Sequence, residues 1–113
     1  AQANSVDTNT SKDQEDDFIY VTSERKTLKL QMNEIQYIEG LNNYVIIHIN
    51  GNKHIVYTSL TEITRKLNSY FLRIHKSFVI NKKFIRSFTK EIVEIGDKEL
   101  PIGKSFKDVT AEF

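Results

Sequence analysis

Short runs of aromatic and β-branched residues recur along this chain, with polar turns between them. Phe18-Ile19-Tyr20-Val21 suits a pleated surface. The polar stretch Ser23-Glu24-Arg25-Lys26 then precedes Thr27 to Leu30, predicting a first hairpin. Ile35 to Glu39 is the next apolar stretch. Tyr44 to Ile49 runs into Asn50-Gly51, and Asn52 to Tyr57 runs back. Asn-Gly suits a two-residue type I′ turn, because both central positions need positive φ. Ser59 and Glu62 form a capping-box pattern, and Leu60, Ile63 and Leu67 fall at i, i+3 and i+7, predicting a short helix over 60–68. Phe71 to Ile74, Ser77 to Ile80 and Phe84 to Phe88 are further short apolar runs separated by basic residues. Ile92 to Ile95, Gly96-Asp97 and Lys98 to Leu100 predict a last hairpin, stopped where Pro101 removes a ladder donor. Ser105 to Ala111 can close with one helical turn or two. Strands at this density, with one central helix, predict a mainly β domain with one or two short helices.

Residues 1 to 17 lack any such periodicity and are mostly Gln, Asn, Ser, Thr and Asp, so they read as a flexible polar linker or tag remnant before a domain at 18–113. The chain starts with Ala1 and reads as a piece of a longer protein. At 113 residues it has room for one domain, and 39% hydrophobic residues suffice for a core. It has no Cys, which excludes a disulfide framework, a thiolate zinc site and a Cys nucleophile. No apolar run approaches the roughly 20 residues of a membrane span, and no signal peptide is visible.

The net charge of +1 conceals a division. The first 17 residues hold five acidic groups and one Lys, leaving a balance of +5 on the rest. Arg65, Lys66, Arg73, Lys76, Lys82, Lys83, Arg86 and Lys90 follow one another with no acidic residue among them. Such a run is either a solvated face or a surface for a polyanion. Tyr70, Phe71, Phe78, Phe84 and Phe88 interleave with it. Exposed, they would stack on single-stranded bases; packed inward, as their weak alternation favours for each Phe, they leave the cations to the phosphates of a duplex.

Other chemistry finds little footing. His48 and His54, expected to face each other across the Asn50-Gly51 hairpin, lack a third ligand, and strand histidines at a polar rim explain them better than a metal. Gly103-Lys104-Ser105 ends like a phosphate-binding P-loop, but Lys98 stands where that motif needs its first Gly. With neither a nucleophile elbow nor a distinctive carboxylate pair, the reading is a non-enzymatic protein with no cofactor.

Phe71-Leu72-Arg73-Ile74-His75-Lys76-Ser77-Phe78-Val79-Ile80-Asn81 resembles the signature of the LytTR family of bacterial DNA-binding domains. Glu99-Leu100-Pro101-Ile102-Gly103-Lys104-Ser105-Phe106 is similar to its closing motif, and Glu39 to His48 to its earlier loop and strand. The resemblance implies an elongated, ten-stranded, mostly antiparallel fold that reads duplex DNA with loops in successive major grooves. By position it places base or loop contacts at Asn42, Asn43 and Tyr44, at His75 and Lys76, and at Lys104 and Ser105. Asn can address adenine, and Lys either guanine or a phosphate; Lys104 lacks the planar fork of the Arg that the family often carries there. His75 either reaches DNA or shapes its loop by hydrogen bonding. Arg73, Lys82, Lys83 and Arg86 take the weaker role of phosphate contacts.

The resemblance further implies the output end of a cytoplasmic two-component response regulator. A receiver domain would precede it, a cognate histidine kinase would act upstream, and two copies would sit on promoter direct repeats, with the isolated domain monomeric. A protein-interaction module docking an acidic partner through 65–90, and a single-stranded RNA binder, are the alternatives.

Overall fold

The computed structural model describes residues 17–113, so the linker assigned to residues 1–17 lies outside the described residues apart from Asp17. Asp17 belongs to the domain. Its carbonyl accepts from the Met32 N–H at 2.9 Å and its carboxylate from the Asn68 amide at 2.8 Å.

Among the described residues, ten strands form three antiparallel sheets. A hairpin of β1 (Phe18–Ser23) and β2 (Lys26–Gln31) stands alone. The central sheet has the order β5-β4-β3-β7-β6, from β3 (Ile35–Gly40), β4 (Val45–Ile49), β5 (Asn52–Val56), β6 (Phe71–His75) and β7 (Phe78–Asn81). The third sheet joins β8 (Ile85–Phe88), β9 (Ile92–Ile95) and β10 (Lys98–Pro101). The principal extents of 49 × 37 × 24 Å match the elongated shape expected. No helix among the described residues is long and apolar enough to cross a membrane.

The central sheet is covered on both faces. One face packs Ile38, Val45, Ile47 and Val79 against Ile19, Val21 and Leu30 of the hairpin and Leu60 and Ile63 of the helix. The other packs Tyr37 and Ile80 against Val93, Ile95 and Leu100 of the third sheet and Val109 of the C-terminal segment. Strict alternation would put Ile35 and Tyr37 on one face. The register shifts between them, leaving Gln36 as an extra residue, so Ile35 and Ile38 share a core while Tyr37 serves the other.

The Asn50-Gly51 turn forms as expected, with φ of 48° and 79°. Its register pairs His48 with Lys53 and Ile47 with His54, so the two histidines lie on opposite faces rather than facing each other.

The helix α1 (Leu60–Thr64) is shorter than the 60–68 segment predicted. Beyond it the Lys66 and Leu67 amides bond to Ile63 and Thr64, an i→i+3 pattern that ends the helix. Ser59 caps the Glu62 N–H at 3.0 Å, but the Glu62 carboxylate turns to Arg65 at 2.9 Å instead of closing the box. Phe88 overturns the expectation that each Phe points inward: it is exposed and meets Phe113 edge-on at 4.9 Å. The chain closes with a 3₁₀ segment, Lys104–Glu112, kinked at Phe106 and packed along β6.

Candidate nucleic-acid interface

β3 and β7 are antiparallel neighbours, so the loop after β3 and the turn before β7 emerge at the same end of the sheet. The Gly40 N–H donates to the Ser77 carbonyl at 2.8 Å and ties them together. The first loop is tight, its Leu41 N–H donating to the Tyr44 carbonyl at 2.8 Å. That closure leaves Asn42 and Asn43 exposed at the tip, while half-buried Tyr44 meets Tyr57 edge-on at 5.8 Å.

The second turn, between β6 and β7, follows another irregularity. Arg73 pairs with Val79 and His75 with Phe78, so Ile74 is the extra residue. The His75 Nδ1 accepts from the Ser77 N–H at 3.0 Å, while Lys76 projects into solvent. Half-buried Arg73 lies beneath the turn: its guanidinium donates to the Lys76 carbonyl at 2.7 Å, the His75 carbonyl at 3.4 Å and the Thr61 hydroxyl at 3.2 Å.

The third segment attaches to the outer edge of β6, where the Gly103 N–H donates to the Ile74 carbonyl at 2.8 Å. A Cβ on Gly103 would stand 3.3 Å from the His75 ring and 3.2 Å from Phe106, so the absence of a side chain permits this approach. Lys104 and Ser105 are thereby delivered, exposed, beside His75. Among the described residues neither Lys76 nor Lys104 has an acidic partner. A cleft of about 340 Å³ between the first two loops and α1 is lined by Asn42, Ser59, Thr61, Arg73 and Lys76 among others.

Lys82, Lys83 and Arg86 stand elsewhere. β7 separates Lys76 from Lys82, roughly 16 Å or more at strand rise. Lys82 Nζ donates to the Glu112 carbonyl at 3.4 Å, Lys83 Nζ sits 4.3 Å over the Tyr70 ring, and Arg86 donates to the Gly96 carbonyl at 3.3 Å. Within the basic run read as one stretch in sequence, Lys76 and the Lys82–Arg86 group thus stand at the two ends of β7. Thr61 carried no sequence signal, and the inward turn of Arg73 was equally hidden, because a contact across twelve positions leaves no periodic trace.

On the sheet face toward the third sheet, His48 stacks on Tyr37 with ring centroids 4.1 Å apart. Its Nε2 is buried without a hydrogen bond, the Glu39 carboxylate being 3.7 Å away. Burial holds His48 below the usual imidazole range, although Glu39 pulls the other way; burial raises the Tyr37 phenol, with Glu39 and Asp97 adding to it.

The comparisons converge on this architecture. The solved LytTr DNA-binding domain from Bacillus cereus, described as part of a methyl-accepting/DNA response regulator, superposes with a TM-score of 0.71 at 16% identity, covering 85% of this chain and 94% of that one. The transcriptional regulatory protein LytR of Staphylococcus aureus strains N315 and NCTC 8325 is 31% identical over 94 residues, 74% of this chain. The chain spans only 38% of the length of those relatives. The family described as the LytTr DNA-binding domain matches residues 25–110, which takes in all three loops. With its ten strands and its signature run at the β6–β7 turn, the chain belongs to the LytTR family of DNA-binding domains.

Proposed function

We propose that this domain binds duplex DNA in a sequence-specific manner and controls transcription as the output module of a two-component response regulator. The observation that carries the reading is the convergence of amide, imidazole and ammonium groups from three separate loops at one end of the central sheet. Asn42, Asn43, Tyr44, His75, Lys76, Lys104 and Ser105 are the reading set. Asn and Lys suit the donor and acceptor pattern of the major groove, and phosphates take the remaining cationic contacts. Duplex is favoured over single-stranded RNA because Phe71 is buried and Phe78 and Phe84 are packed against the second core, removing them as stacking platforms. Docking of an acidic protein through 65–90 is disfavoured because Lys82, Lys83 and Arg86 stand across β7 from Lys76 and are engaged by Glu112, Tyr70 and Gly96.

In the full protein a receiver domain would precede this one, a histidine kinase would phosphorylate it in the cytoplasm, and paired copies would occupy direct repeats. The test is a binding series on a duplex selected from a random library, a random duplex and a single strand, at several salt concentrations. Lys76→Ala and Lys104→Ala are expected to lose about 1–3 kcal/mol on the selected duplex where they touch a base. Equal losses on selected and random duplex would refute the base-reading assignment.

A further inference from the structure

We propose that Arg73 is a positioning residue that locks the β6–β7 turn into its reading conformation, and that this, rather than contact with a DNA phosphate, is its contribution to recognition. The inference rests on the DNA-reading assignment of the preceding subsection. The turn is short, and the carbonyls of His75 and Lys76 lie at its apex, where the β6–β7 ladder ends. Arg73 spans both with one planar guanidinium, through Nε at 3.4 Å and Nη2 at 2.7 Å. Nη1 reaches the Thr61 hydroxyl at 3.2 Å, so the same group also fastens the turn to α1.

The extra residue Ile74 separates the sides taken by Arg73 and His75. Arg73, paired with Val79, lies on the α1 side of the sheet and Ile74 enters the opposite core; the extra residue lets His75, paired with Phe78, follow Ile74 on that side, while the Ile74 carbonyl holds Gly103. Arg73 therefore lies beneath the second turn, lining the cleft between the first two loops and α1 with Asn42, Thr61 and Lys76. Three of its five N–H groups are committed to the protein. An ammonium cannot reproduce the arrangement, because Lys is a compact point charge without a rigid fork. Charge and geometry are thus separable by substitution.

The experiment compares the unsubstituted domain with Arg73→Lys, Arg73→Gln and Thr61→Val on selected and random duplex across a salt series. Thermal unfolding and amide NMR shifts are recorded without DNA. Positioning predicts that Arg73→Lys and Arg73→Gln each lose about five- to tenfold on the selected duplex. Random-duplex affinity should stay within about twofold, and the salt slope should not change. Thr61→Val, which keeps the guanidinium and every charge, should lose about two- to threefold and shift the amides of His75 to Ser77. A phosphate contact predicts the reverse: Arg73→Lys retains affinity, Arg73→Gln weakens both duplexes alike with a slope flatter by about one unit, and Thr61→Val is silent. That result would overturn the inference while leaving the reading set intact. An unsubstituted domain with no preference for the selected duplex would overturn both.

Discussion

Asn81 ends the signature run and is 1% exposed, among the most buried side chains of the domain. Its amide nitrogen donates to the Ile35 carbonyl at 3.0 Å and to Met32 at 3.4 Å, while its oxygen accepts from the Lys83 N–H at 2.9 Å. One side chain thereby joins the end of β7, the start of β3 and the 3₁₀ turn at Lys82–Phe84. Asn81→Ala removes two well-formed bonds, each worth about 1 kcal/mol net, and leaves buried backbone groups facing an empty space. A total near 3 kcal/mol is expected, with the 3.4 Å contact adding little. For a domain of this size that lowers the melting temperature by roughly 12–20 °C, read by circular dichroism and checked by urea titration. Asn81 lies at the end of β7 away from Lys76, so DNA affinity measured where the variant is folded should be unchanged. A destabilisation below about 1 kcal/mol, or a large affinity loss in folded protein, would refute this account.

Lys83→Ala should cost less than twofold on any duplex and shift the salt slope by well under one unit, against a far larger loss for Lys76→Ala, because Lys83 sits at the other end of β7. Gly103→Val places methyl groups where 3.2–3.3 Å is already tight, so it should separate Lys104 from the His75 turn and reduce selected-duplex affinity about tenfold, as a gel shift would measure. Because burial disfavours the charged His48, the native state takes up this proton less readily than the unfolded chain. Stability should be fully present above pH about 6.5 and decline as pH falls below it. His48→Phe, which keeps the stack on Tyr37, should flatten that decline in denaturant midpoints between pH 7 and 5; parallel curves for the two proteins would contradict the assignment. Glu24 and Arg25 hold φ of 53° and 68° in the first hairpin turn, so Glu24→Asn with Arg25→Gly should stabilise by about 0.5–1 kcal/mol in the same unfolding assay.

Much of the scaffold was legible in the sequence because its hairpins carry local chemistry. Asn50-Gly51 announces its own turn, and the alternation of Val45, Ile47 and Ile49 fixes which side of β4 is buried. Glu24-Arg25 adopts a comparable turn without such residues, because pairing from Phe18–Gln31 through Ser23–Lys26 imposes it. Periodicity could not foresee the extra residues Gln36 and Ile74, since a bulge resets alternation without changing composition. Nor could it distinguish a cation aimed at solvent from one folded back on carbonyls. Lys76 and Arg73 look alike as charges; only the three-dimensional path of the turn separates them.

The segment after Pro101 does two jobs at once, carrying Lys104 while shielding the open side of β6 through Gly103 and the apolar contact of Val109. A fragment truncated at Pro101 would therefore fail in a way that a point variant would not. It would bare the hydrogen-bonding edge of an otherwise intact sheet and invite strand-to-strand association between molecules, so proteolytic trimming must spare the residues after Pro101 if the domain is to remain dispersed.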